Sequence, residues 1–151
     1  MERILVGYDD TPAARGALDW ATAYAVRNDG ELLVAYVLSS AFEWELAAIQ
    51  INPDPMRHEF ERRLRDEWTQ VPRSAGVPYQ TRLLTGRAAE ALLRSAERER
   101  ATLIAVGMTG RGTLAELMLG STTHHLLQHA ARPIVAVPAT WRSSSPSDRP
   151  D

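Results

Sequence analysis

Five short apolar runs punctuate the chain: ERILVGY (2–8), ELLVAYVL (31–38), VPYQTRLL (77–84), TLIAVG (102–107) and PIVAVP (133–138). Each has the length of a β-strand. The first, fourth and fifth are nearly continuous in apolar residues, the pattern of parallel strands covered on both faces. The third alternates apolar with polar side chains, which suits a sheet edge.

Between these runs the period changes to that of a helix. Thr11-Pro12 offers an N-cap followed by proline at the first helical position. Ala14, Ala17, Leu18, Ala21 and Ala25 then recur on one face, and Asn28-Asp29-Gly30 ends the helix. Met56, Phe60, Leu64 and Trp68 are spaced by four, predicting a single amphipathic helix over 55–70. A third helix is predicted over 87–100, with Ala88, Ala91, Leu92 and Ala96 inward. Ser121 is placed to cap a fourth, which runs to about Ala130, before Arg132-Pro133. Residues 39–54 are less regular: AFEWELAAIQ has room for a helical turn, and Asn52-Pro53-Asp54-Pro55 breaks it. No internal repeat is visible.

Strands alternating with helices predict an α/β fold, a parallel sheet with helices on both faces. One domain over 1–140 is expected. The tail 141–151, WRSSSPSDRPD, carries Ser, Pro and charge and is expected to be disordered.

Composition narrows the chemistry. The 17 basic and 19 acidic side chains give a net charge of -2, which argues against general nucleic-acid or membrane-surface binding. With no cysteine, thiolate catalysis, disulfides and cysteine metal sites are absent, and a reducing cytoplasm suits the chain. With no lysine, Schiff-base chemistry and a phosphate-binding lysine are excluded. The apolar run at the N-terminus is too short and too early for a signal peptide, and no stretch has transmembrane length.

The remaining signal is GMTGRGTLAELMLGST (107–122), where Gly107, Gly110, Gly112 and Gly120 crowd one strand-to-helix crossing. Glycine costs backbone entropy, so a close approach to the backbone is the expected reason. A Walker A loop requires lysine where Thr113 stands. Gly110-Arg111-Gly112-Thr113-Leu114-Ala115 matches the letters of a dinucleotide fingerprint. It starts three residues past the strand end, in the fourth βα unit, with no acidic residue about twenty positions on. What is left is G-x-x-G, nine residues, then G-[ST]: Gly107, Gly110, Gly120 and Ser121. Gly107 ends a strand, Gly110 lets the backbone pass a ligand, and Gly120-Ser121 opens a helix whose free N–H groups attract an anion. Arg111, inside the motif, is a candidate for neutralising phosphate, and Arg87 a weaker one.

Those residues, with ILVGYDDTPAARGALDWA at the start and VGMTGRGTLAELMLGSTTHHLLQHAARPIVAVP at the end, resemble a universal stress protein of the ATP-binding type. The resemblance covers nearly the whole chain before the tail. It implies a five-stranded parallel sheet in order 3-2-1-4-5, of the adenine nucleotide alpha-hydrolase-like kind, and an ATP site at the switch point between strands one and four. It implies that Asp9 meets the ribose or the metal-phosphate side, with Mg²⁺ or Mn²⁺ accompanying the nucleotide. Gly107 would lie against the nucleoside, and Gly110, Gly120, Ser121 and Thr122 against the phosphates. Backbone groups near Val37 would meet adenine. It further implies a homodimer through strand 133–138.

The chain departs from the family pattern at Asp10, which stands at a usual glycine position and adds negative charge near the phosphates unless a cation intervenes. Thr122 stands where valine is frequent. The expected function is a nucleotide-dependent stress-response regulator with at most slow ATP hydrolysis or self-phosphorylation, since no general base or arginine clamp accompanies the motif. The alternative is an interaction module with an empty or AMP- or cyclic-AMP-occupied site. An adenylating enzyme is disfavoured, because YDDTPAARG lacks a Ser-Gly-Gly-rich loop after strand one. His125 and His129 have the i, i+4 spacing of metal ligands but no evident third partner. The run AERERA (96–101) suits a solvated helix end. Trp20, Trp44 and Trp68 are expected in the core or at an interface.

Overall fold

The computed structural model of the chain describes residues 1–109 and 119–143. Five strands form one parallel sheet: β1 (Arg3–Gly7), β2 (Glu31–Leu38), β3 (Tyr79–Thr85), β4 (Leu103–Gly107) and β5 (Ile134–Val137), in the order β3-β2-β1-β4-β5. The expected order is the one observed. Register follows the apolar pattern, with Leu5 opposite Leu33 and Ile104, and Val6 opposite Val34 and Ala105.

The strand period of two splits the core between the faces. Ile4, Val6, Val34 and Tyr36 meet Ala14, Leu18, Ala21 and Ala25 of α1 (Pro12–Asn28) on one face. Leu5, Leu33, Ile104 and Val106 meet Ala89, Leu92 and Ala96 of α5 (Ala88–Arg98) and Leu126 of α6 (Ser121–His129) on the other. Ile4, Leu5 and Ile104 are fully buried. Each such side chain stabilises the fold by about 1.5–3 kcal/mol relative to exposure. The edge assignment of β3 holds: none of its residues is buried. The fifth run is less enclosed than its composition predicts, since only Val137 is buried in β5, the other edge.

The ends of α1 form as the sequence requires. The Thr11 hydroxyl accepts from the Ala14 N–H, and Asp29 closes the helix in the left-handed region at φ 50°. The expected single helix over 55–70 is instead broken. It runs as α3 (Asp54–Arg62), passes through a π-turn at Arg63–Glu67, and resumes as the short α4 (Gln70–Ser74). The buried Thr69 hydroxyl explains the break, because it donates to the Leu64 and Arg65 carbonyl oxygens, 2.9 Å from each. The wide turn sets Trp68 over the core, 5.3 Å from Tyr36 and 5.5 Å from Tyr8. The turn expected within 39–54 is a full helix, α2 (Ser40–Ala48), and none of its residues is buried. In α5, Ala91, Leu92 and Ala96 are buried as expected, whereas Ala88 is only half-buried and Ala89 takes its place in the core. Residues 141–143 have no regular structure, and the rest of the expected tail lies outside the described residues.

Candidate functional site

The sheet order makes β1 leave toward β2 while β4 lies on its other side. A crevice opens at the carboxyl ends of such a pair. Here it holds a cavity of about 280 Å³. Its floor is Gly7, Val106 and Leu92, its one wall Ala35, Tyr36 and Val37 of β2, its other wall Gly107 and the start of α6. Of the predicted site residues, Asp9, Val37, Gly107, Gly120, Ser121 and Thr122 all line it. Gly110 and Arg111 lie outside the described residues. Arg87 does not line this cavity.

The anion-attracting end is built by α6. Its cap is Gly120, which is buried and has no side chain to cap with. Ser121 is therefore the first helical residue rather than the cap predicted for it. The N–H groups of Ser121, Thr122 and Thr123 have no partner within the helix, and the His124 N–H is the first to bond back, to the Gly120 carbonyl. The helix start is fastened to the strand end by two bonds. The Thr123 hydroxyl donates to the Gly107 carbonyl oxygen at 2.8 Å, and the Gly120 N–H donates to the Met108 carbonyl oxygen at 3.0 Å. Thr123 is buried. Sequence reasoning passed over it for its neighbours, although Thr at the third position of a helix that opens on glycine was a usable signal.

Gly107 lines the cavity, but its glycine identity has another cause. A Cβ there would lie 2.7 Å from the Ala13 carbonyl carbon and 2.8 Å from the Ala14 nitrogen. The strand end and the first turn of α1 touch backbone to backbone, and that contact requires glycine.

The two adjacent carboxylates, Asp9 and Asp10, point to different partners. Asp9 lines the cavity, and its Oδ1 accepts from the Thr11 hydroxyl at 2.5 Å and the Thr11 N–H at 3.2 Å. Since that hydroxyl is also the N-cap of α1, the helix start fixes the Asp9 carboxylate. Asp10 is in the left-handed region at φ 59°, which accounts for glycine being usual there. Its side chain turns to Arg15, 3.0 Å away, and accepts from the Tyr8 hydroxyl at 3.2 Å. The cation required beside Asp10 is thus Arg15, whose guanidinium also donates to the Asp10 carbonyl oxygen. Burial, with the Asp10 charge beside it, pushes the Tyr8 phenol above its ordinary range, so Tyr8 stays a neutral donor to Asp10.

Other sequence candidates fall elsewhere. The rings of His125 and His129 are 4.4 Å apart. Among the described residues no group of three or more His, Asp or Glu is placed to hold a metal ion. In the run 96–101, Glu97, Arg98 and Arg100 are exposed as expected, whereas Ala96 and Ala101 are buried and Glu99 pairs with Arg82 at 3.3 Å. Trp20 and Trp68 pack against the core, but Trp44 is 76% exposed, against the expectation of a covered position. No described helix is long and apolar enough to cross a membrane.

A parallel sheet ordered 3-2-1-4-5, with its cavity between the carboxyl ends of β1 and β4, defines the adenine nucleotide alpha-hydrolase-like class of folds. Residues 1–138 match the model of the universal stress protein family, and the chain belongs to that family. A universal stress protein of Thermus aquaticus is 33% identical over 138 residues, covering 89% of this chain and 96% of its own. One from Mycolicibacterium smegmatis is 26% identical over 140 residues, and there the match spans only 47% of the relative's length. Among solved structures, universal stress protein UspA from Lactobacillus plantarum superposes with a TM-score of 0.74 at 22% identity, covering 90% of this chain and 97% of that one. A universal stress protein in complex with cAMP gives 0.68 at 22% identity, covering 92% and 98%. The Archaeoglobus fulgidus protein in complex with dAMP gives 0.69 at 17% identity, covering 91% and 98%.

Proposed function

We propose that the chain binds an adenine nucleotide in the switch-point cavity, with ATP and a divalent cation as the full ligand, and acts as a nucleotide-dependent stress-response regulator. The observation that carries this reading is the pairing of a side-chain-free helix start, Gly120-Ser121, with the fixed carboxylate of Asp9 in one cavity. The helix start supplies N–H groups and the positive dipole end for phosphate. Asp9 suits a Mg²⁺ or Mn²⁺ ion that takes its other ligands from phosphate and water, since Mg²⁺ commonly uses one or two protein carboxylates. Gly110 and Arg111 belong to this phosphate end by the sequence motif. Val37 is one of two residues of β2 that are not buried, and it faces the cavity where the base would sit.

The chemistry available for hydrolysis is sparse. No lysine exists in the chain, and among the described cavity residues Asp9 is the one carboxylate. Turnover is therefore slow, and occupancy rather than catalysis is the signal. The protein works in the cytoplasm as a homodimer joined through strand 133–138.

Calorimetry with ATP in the presence of Mg²⁺ tests the reading. Saturable binding that Ser121→Ala weakens and Gly110→Asp abolishes supports it. Unchanged affinity in Gly110→Asp removes the phosphate site from this loop. A second reading is favoured by the two structural neighbours solved with cAMP and dAMP: an interaction module occupied by a monophosphate. Competition of AMP and cyclic AMP against ATP separates the two, because a regulator reading the triphosphate binds ATP tightest.

A further inference from the structure

Helix α2 carries the most exposed tryptophan side chain of the cavity's surroundings on an element that buries nothing. Phe42, Trp44, Ile49 and Ile51 are all exposed on it and its following turn, Trp44 at 76%. Such a row costs solvation and does not hold the helix down. What holds it is polar: Glu43 pairs with Arg57 of α3, and the same guanidinium donates to the Thr85 hydroxyl at the end of β3. That latch sets α2 beside the carboxyl edge of the sheet.

There a second cavity of about 550 Å³ opens, lined by Trp44, Ser39, Ser40, Arg87 and the two residues Val37 and Ala88. Val37 and Ala88 also line the switch-point cavity. The two spaces are therefore neighbours that share Val37 and Ala88 in their linings. The phosphate-attracting start of α6 lines the first space only; the second has an indole, two hydroxyl side chains, apolar walls and the Arg87 side chain. This also explains why Ala88 is not in the core.

We propose that Trp44 is a specificity-determining residue that stacks on the base of the nucleotide held in the switch-point cavity. The inference rests on the adenine-nucleotide reading, with the base in the switch-point cavity at Val37 and the indole reaching its outer face from the groove beyond Val37 and Ala88. A purine is flat and offers a π-face to the indole and polar edges to Ser39 and Ser40. The exposed indole loses water only when the base arrives, so its contribution falls on base-bearing ligands.

Calorimetry with ATP and Mg²⁺ on the wild type, Trp44→Ala and Trp44→Phe tests the assignment, with tryptophan emission as a second readout. Stacking of a base on an aromatic ring accounts for roughly a 5- to 150-fold change in affinity. Trp44→Ala is expected to weaken ATP binding within that range and Trp44→Phe to retain most of it. ATP is expected to change the emission that the wild type has and Trp44→Phe lacks. Because α2 buries nothing, both variants fold. Equal affinity in the wild type and Trp44→Ala overturns the inference and leaves nucleotide binding intact. So does an equal loss in both variants, which gives Trp44 a role other than stacking. Concentration-dependent Trp44 emission without nucleotide, at unchanged ATP affinity, gives the patch to a second copy of the chain and overturns it too. A wild type that binds no ATP removes the nucleotide reading and this inference together.

Discussion

The hydroxyl of Thr123 donates to the carbonyl oxygen of Gly107 across 2.8 Å, tying the first turn of α6 to the last residue of β4. The bond aims the start of α6 along the cavity wall. Thr123→Val keeps the shape and removes the donor. It is expected to cost about 1 kcal/mol of stability, read by urea unfolding, and to weaken ATP binding, read by calorimetry. Loss of stability without loss of affinity would give the bond a purely structural role.

Gly107→Ala brings a Cβ within 2.8 Å of α1 backbone atoms, which do not yield as a flexible side chain does. The expected destabilisation is about 1–3 kcal/mol, as for overpacking elsewhere. Thermal unfolding without ligand is the check. An unchanged melting temperature would mean that the glycine serves the ligand rather than the contact with Ala13 and Ala14.

Asp9 and Asp10 are expected to behave oppositely. Asp9→Asn removes most of the Mg²⁺ or Mn²⁺ dependence of ATP affinity, because an amide binds hard cations poorly. Asp10→Gly keeps that dependence. Since Asp10 occupies the left-handed region, Asp10→Gly should also be more stable than Asp10→Ala by about 1 kcal/mol. The exposed pair with Arg15 is lost equally in both. ATP titrations with and without EDTA, together with urea unfolding, decide both parts. Metal dependence that vanishes in Asp10→Gly and survives in Asp9→Asn reverses the assignment.

Tyr8 predicts an alkaline limit. Its pKa is raised in the fold, first by burial and then by Asp10, from an ordinary value of 10.0. Below that value the phenol is protonated in both states and its contribution is complete. As pH rises past 10.0 the unfolded chain ionises first, so the native state holds more protons and stability falls with pH. Tyr8→Phe should flatten that part of the fall, measured as urea midpoints between pH 9 and 11 (about two units around the ordinary value). An identical slope in both proteins would assign the alkaline loss to other groups.

The dimer proposal needs a substitution that spares the core. Val137 is buried, so a charge there would unfold the chain. The Met108 N–H bonds the Val137 carbonyl and the Ile104 N–H bonds the Pro133 carbonyl. Odd-numbered residues of β5 thus face β4, and the backbone of Ala136 faces the open edge. Ala136→Pro removes an outward donor and leaves the ladder to β4. Light scattering is expected to show a monomer with unchanged far-UV circular dichroism. A persisting dimer would move the interface away from this edge.

The apolar runs by themselves determined five strands, their alternation with helices, and the caps of α1, because a buried parallel strand and an N-cap are signalled by the residues that form them. The motif spacing likewise marked Gly107, Gly120 and Ser121 as neighbours of one site, and the described ones meet in one cavity. Tertiary structure decided what depends on a neighbour supplied from elsewhere in the chain. Arg15 neutralises Asp10, and Asp10 could be read as an uncompensated charge only until α1 placed that guanidinium. The period of four across Met56, Phe60, Leu64 and Trp68 is true of the burial, yet the buried Thr69 hydroxyl captures two carbonyls and opens a π-turn that no periodicity records. Trp44 carries the composition of a core residue, but α2 sits beside the carboxyl edge of the sheet, held by Glu43 and Arg57, and among the described residues no element covers it. Gly107 was legible as a glycine that something must approach. That the approaching group includes the backbone of α1 follows only from helix meeting strand, since packing distance is a property of the pair and not of either sequence.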